Sequence, residues 1–179
     1  PYHKEKRGFF GKLISFIDKD KRTQLNKNVD YITHFGTEKK IFNIPIINIQ
    51  NGANPDEYQL RKEPIFKQKL KLLAVGGLWN WFGLDRVIRG LIEYNSTEHK
   101  LDVHLTIVGE GKEIEKLKSI SSPISKYIHF KQALYGEQLD NFFDNHHLAI
   151  GKLAMHRIGL EYSSSLKHRE YSFRGMPFI

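Results

Sequence analysis

From Leu70 onward the chain alternates short apolar runs with amphipathic stretches, and the spacing predicts strands and helices in turn. LKLLAVGG is an unbroken apolar run closing on two glycines, as a buried strand would. Leu84 to Tyr94 puts Leu84, Val87, Ile88, Leu91 and Ile92 on one stripe, which is the period of a helix. LDVHLTIVGEG predicts a second strand closing on Gly109 and Gly111, and a helix follows from Lys112 to Ile120. YIHF is a third strand, Gly136 to Asp144 a helix and HLAIG a fourth strand. Strand and helix in alternation predict an α/β fold with a parallel, doubly wound sheet.

The flanks are less regular. Within residues 1–28, Phe9, Phe10, Leu13, Ile14, Phe16 and Ile17 form the apolar side of a helix whose remaining positions are rich in lysine and arginine. A basic amphipathic helix either lies on an anionic membrane or packs on its own protein. VDYIT, Val29 to Thr33, reads as a short strand and HFGTEKKIF as a turn and a helix. IPIINIQNG is a strand broken by Asn51 and Gly52, and the polar residues 53–69, with Pro55 and Pro64, read as a linker. At the far end, SSSLKHREYSFRGMPFI begins with a cluster of helix-capping serines. Leu166 and Phe173, seven apart, offer one inward stripe, while Lys167, Glu170 and Arg174 share another face. Gly175 is placed to end that helix, Pro177 forbids its continuation, and Phe178 and Ile179 begin a buried strand.

Composition narrows the partners. With 179 residues there is room for one ordinary domain, or for one domain and a remnant of another. No apolar run approaches the roughly 18 residues needed to span a bilayer, and the absence of cysteine excludes disulfides and thiolate zinc sites. A net charge of +8 favours an anionic partner: phosphate, nucleic acid or a lipid surface. His146 and His147 are adjacent, and His156 and His168 are scattered, so no histidines have metal-ligand spacing.

In a doubly wound sheet, ligands bind outside the carboxyl ends of the strands. Gly76 and Gly77, Gly109 and Gly111, and Gly151 with Lys152 all fall there. Each pair alone is explained by a tight turn, but three such ends on one rim favour a ligand cleft. The N-terminus of the last helix, with Lys167 beside it, suits a phosphate, and Glu170 one turn on can accept hydrogen bonds from a sugar. The competing reading is a solvated helix face on which Lys167 and Glu170 pair with each other.

The order of the segments NIQNGANPDEY, LLAVGGLWNWFGLDRVIRGL, LTIVGEGKEIEKL and LKHREYSFRGMPFI resembles the C-terminal domain of GT-B glycosyltransferases. It is most similar to the retaining family-four type that builds bacterial surface polysaccharides, and the likeness runs from Val29 to Ile179. It implies a Rossmann-like donor-binding domain over residues 43–179, truncated at its C-terminal end. Residues 1–42 would be the end of the acceptor-side domain and the crossover, and this piece alone would be inactive. In EYSFRGMP, Glu170 matches the glutamate that in the family holds the ribose hydroxyls of the nucleotide. Tyr162 stands where the family's first glutamate is expected, with Glu161 one residue out of register. Gly77 and Phe82 occupy the places of an arginine and a lysine that bind the diphosphate. Lys167, Lys152 or Arg157 would then supply the missing charge.

The resemblance further implies a nucleotide-diphosphate sugar as substrate, neither metal nor cofactor, and a glycan or lipid-linked acceptor. The setting it implies is the cytoplasm or the inner face of its membrane, with nucleic acid excluded as a partner. A nicotinamide-dependent dehydrogenase is disfavoured, because GGLWNWFG departs from G-x-G-x-x-G. The alternative is a non-catalytic module binding nucleotide or nucleic acid. Its weakness is that the basic residues are spread along the chain without a nucleic-acid-binding motif.

Overall fold

The computed structural model describes residues 9–98, 101–161, 163 and 165–179. They fall into two units, residues 9–51 with 158–161 and 163, and residues 52–98 and 101–157 with 165–179. In the smaller unit, helix α1 (Phe9–Thr23) carries Lys21 and Arg22 in its last turn, where cations complement the helix dipole. Phe10, Ile14, Phe16 and Ile17 are all exposed on it. Residues 1–8 of the expected N-terminal helix lie outside the described residues. Strand β1 (Ile32–His34) starts three residues later than Val29, and β2 (Lys40–Ile41) stands where a helix was expected in HFGTEKKIF. Phe42 and Asn43, with φ of 51° and 63°, turn β2 back onto β3 (Ile44–Asn48) as a two-residue hairpin. Ile41 lies opposite Ile44, which is buried, so cross-strand pairing outweighs the helical spacing of this segment.

The larger unit holds the alternating pattern. Residues 53–68 contain only a 3-10 turn, Pro55–Glu57, in which the Asn54 side chain accepts from the Asp56 N–H. Four parallel strands follow: β4 (Lys69–Val75), β5 (Asp102–Val108), β6 (Ile128–Lys131) and β7 (Leu148–Ala149). They are joined through α2 (Leu84–Asn95), α3 (Ile114–Ser121) and α4 (Gly136–Asp144), and α5 (Leu166–Phe173) comes last. The spatial order is β6-β5-β4-β7. The chain thus moves outward from β4 to β6 and then crosses back to β7 on the other side of β4. That reversal places a topological switch point between β4 and β7. Alternate residues of β4 feed two cores, as helices on both faces of a sheet require. Leu72 and Ala74 pack with Leu105, Phe82, Ile88 and Leu117, whereas Leu73 packs with Phe143, Leu139 and Tyr171.

Helix α5 departs from the expected stripe. Leu166 is exposed and Phe173 half-buried, while Tyr171 and Arg174 are the buried positions. The Tyr171 ring wedges between Phe143 and Phe178, with centroids 5.9 and 5.7 Å away, so packing against its neighbours sets the helix's roll. Phe178 and Ile179 pair through their backbone with β7, as the Ile179 N–H donates to Ala149 O at 3.1 Å. Their side chains are exposed and not buried as expected, because β7 is an edge strand and this segment lies outside it.

Candidate functional site

The rim at the carboxyl ends of β5, β4 and β7 is built from glycine-bearing loops. The loops after β4 and β5 are bonded to each other: Gly76 N–H donates to Val108 O and Leu78 N–H to Glu110 O, both at 2.9 Å. Gly109 has φ of 144°, and a Cβ there would overlap the Gly76 carbonyl oxygen. This glycine is therefore required for backbone to meet backbone. Gly77 lies beneath the Trp79 indole, which stacks on Trp81 with centroids 5.3 Å apart and remains 40% exposed.

Helix α5 aims its first turn at this rim. Ser165 caps it in an extended conformation, and its side chain makes no capping hydrogen bond to the first amides. Ser164, one of the three serines, lies outside the described residues. The Lys167 ammonium sits 3.3 Å from the centroid of the Phe82 ring. A Cβ at Gly76 would come within 3.0 Å of the same nitrogen, so the missing side chain makes room for the cation. Burial, and then the Lys152 charge, push the Lys167 pKa down to about 7, with Glu170 opposing. Lys152 follows Gly151 at the end of β7, and its N–H approaches His168 Nε2 at 3.4 Å. Burial and these two lysines also lower the pKa of His168.

Gly76, Gly151, Lys152, Lys167 and His168 therefore meet at the switch point. Sequence reasoning counted His168 only as a scattered histidine. Its place beside Lys167 in the first turn of α5 was the available signal. Arg157 is engaged elsewhere, with its guanidinium bonded to both oxygens of Asp85 at 2.8 and 2.9 Å and to Asn80 O. That pairing raises the Arg157 pKa and lowers that of Asp85. Glu170 pairs not with Lys167 but with Arg174, whose Nε donates to Oε1 at 3.0 Å. The i, i+3 pair of the solvated-face reading is thus replaced by an i, i+4 pair. Glu161 is exposed in the smaller unit, and Tyr162 lies outside the described residues. Among the described residues no three histidine, aspartate or glutamate side chains are grouped to hold a metal ion.

No family model matches the chain. In sequence it is 30% identical over 126 residues to an uncharacterised glycosyltransferase of Methanocaldococcus jannaschii, over 63% of this chain and 32% of that protein. Solved structures of glycosyltransferases share its fold. WaaG, a glycosyltransferase involved in lipopolysaccharide biosynthesis, gives a TM-score of 0.53 at 19% identity, over 74% of this chain and 37% of its own. The apo form of WaaB, a lipopolysaccharide outer core galactosyltransferase, gives 0.59 at 14% identity, over 90% and 46%. The pneumococcal O-GlcNAc transferase GtfA, solved with UDP and GlcNAc, gives 0.50 at 15% identity, over 89% and 31%. The chain spans about a third of the archaeal relative and less than half of WaaG and WaaB. In sequence the chain is similar to a glycosyltransferase, and in fold it is similar to solved GT-B glycosyltransferases.

Proposed function

We propose that the larger unit holds the nucleotide diphosphate of a sugar donor at the switch point between β4 and β7. The whole protein would transfer that sugar, with retention, to a glycan or lipid-linked acceptor of a surface polysaccharide. The observation that carries this reading is Lys167. Its half-buried ammonium rests on Phe82, with no carboxylate at ion-pair distance among the described residues. A cation partly taken out of water and left without an anion is a receptor for one. Phe82 occupies the place of a lysine in the family that the chain resembles, so Lys167 delivers its charge to the same loop from another element.

The first amides of α5, Lys167 and Lys152 would bind the diphosphate and stabilise the charge that grows on it as the glycosidic bond breaks. These cations make a metal unnecessary. Glu170 would accept hydrogen bonds from the ribose hydroxyls. The basic helix α1, with its exposed Phe10, Ile14, Phe16 and Ile17, suits the inner face of an anionic membrane, where a lipid-linked acceptor would be met. Among the described residues no helix is long and apolar enough to cross a membrane.

Calorimetry tests the donor site. Uridine and guanosine, and their diphosphates, are titrated into wild type, Lys167→Ala and Glu170→Gln. Lys167→Ala is expected to weaken the diphosphates by about tenfold or more and to spare the nucleosides. Glu170→Gln is expected to weaken both classes. Equal losses for nucleoside and diphosphate in the lysine variant would remove Lys167 from the phosphate site. Binding of nucleic acid that outcompetes every diphosphate would favour the non-catalytic module instead.

A further inference from the structure

The most heavily anchored side chain at the end of α5 is that of Arg174, its C-cap. It is a charged group only 7% exposed, and its guanidinium lies 4.5 Å from the centroid of the Phe143 ring and 5.3 Å from that of Tyr58. Nε donates to Glu170 Oε1 at 3.0 Å and Nη1 donates to Asp140 Oδ1, on α4, at 2.6 Å. The backbone beneath it is also held, because the Arg61 N–H donates to the Arg174 carbonyl at 3.0 Å. An arginine fork can satisfy two carboxylates at fixed angles, which a lysine cannot do. Glu170 is thereby tied by one oxygen to a group that α4 and two aromatic rings keep still. Its other oxygen, Oε2, has no hydrogen-bond donor among the described residues.

We propose that Arg174 is a positioning residue for the recognition of a ribonucleotide's vicinal diol: it fixes Glu170 through Oε1 and leaves Oε2 to accept from the ribose hydroxyls. Asp140 steadies the far edge of the guanidinium. The proposal rests on Glu170 as the ribose contact. A glutamate left free would lose side-chain entropy each time it engaged the sugar, and its preference for a 2′-hydroxyl would weaken.

The readout is the ratio of affinities for a ribonucleoside diphosphate and its 2′-deoxy counterpart, measured by calorimetry with the uridine and guanosine forms. Wild type is expected to favour the ribose form by about tenfold, as one charge-assisted hydrogen bond would give. Glu170→Gln should bring the ratio close to one. Arg174→Lys keeps the charge but cannot bridge both carboxylates, and should lower the ratio by at least about threefold. Asp140→Asn, a milder change that keeps the shape, should lower it in the same direction, and it carries the test if Arg174→Lys does not fold. A wild-type ratio near one, or no effect of Glu170→Gln, would overturn the reading of Glu170 itself. If Glu170→Gln collapses the ratio while both other variants leave it intact, the ribose contact stands and the positioning role is wrong. Equal losses for both ligands with the ratio preserved would make Arg174 a structural residue only.

Discussion

Lys167 is an ammonium that the fold has half removed from water and pointed at the strand ends. Its pKa of about 7, against an ordinary 10.5, means that between those values the unfolded chain binds a proton which the native chain has released. Stability of the ligand-free protein should therefore rise as pH goes from about 7 towards 10.5. A bound diphosphate reverses the preference, because an anion beside the ammonium favours its charged form. Near pH 8 the wild type should take up a proton on binding a nucleoside diphosphate, and its affinity should fall as pH rises further. Binding enthalpies measured in buffers of different ionisation heat report that uptake directly. Lys167→Met should abolish it, and an unchanged uptake in that variant would assign the proton to another group.

At the scale of elements, two contacts hold the sheet to its helices and to its own loops. His146, just past the end of α4, has Nδ1 2.6 Å from the Phe142 carbonyl, so the proton resides there and is donated to it. Nε2 then accepts from the Thr106 hydroxyl of β5 at 2.8 Å. Burial pushes the His146 pKa down to about 4. Between 6.5 and that value the unfolded chain gains a proton the native chain refuses, so stability should fall as pH drops from about 6.5 to about 4. Thr106→Val leaves a buried nitrogen without its donor and should cost about 1–3 kcal/mol in a urea melt. In the rim loops, Gly109→Ala should cost at least about 2 kcal/mol, because it combines a left-handed backbone with a clash against the Gly76 carbonyl. Gly90→Ala, on α2 where an added Cβ meets nothing within 4 Å, should instead stabilise by about 0.5–1 kcal/mol. Equal effects at the two glycines would refute the loop-to-loop account.

For the molecule as a whole, the proposed function needs only the larger unit for the donor and assigns the acceptor elsewhere. This chain spans about a third of its archaeal relative, and by itself it should transfer no sugar. Measurable turnover with a radiolabelled nucleotide sugar would contradict that. Nucleotide-sugar binding should also persist in EDTA, since lysine and helix amides supply the positive potential at the switch point. Loss of binding in chelator with recovery on adding magnesium or manganese would show that these groups do not suffice.

The strand and helix order from Leu70 to Gly151 was legible because periodicity is local: a buried strand and an amphipathic helix each declare themselves within about ten residues. The end of α5 was legible for the same reason. Gly175 takes φ of 65°, and the Met176 N–H closes the turn onto Tyr171 O at 2.8 Å. The glycines of the rim could be placed at strand ends, although their service to loop packing, as at Gly109, became visible only in three dimensions. What tertiary structure alone decided is which side chains face one another. Lys167 finds Phe82, Arg157 finds Asp85, and Arg174 turns Glu170 away from Lys167 with the help of Asp140. The hairpin at Phe42–Asn43 likewise overrode a helical spacing by pairing Ile41 with Ile44. The physical reason is common to all of these. A hydrophobic pattern fixes which face of an element is buried, whereas the roll of that element and its partners across the core depend on packing between segments far apart in the chain.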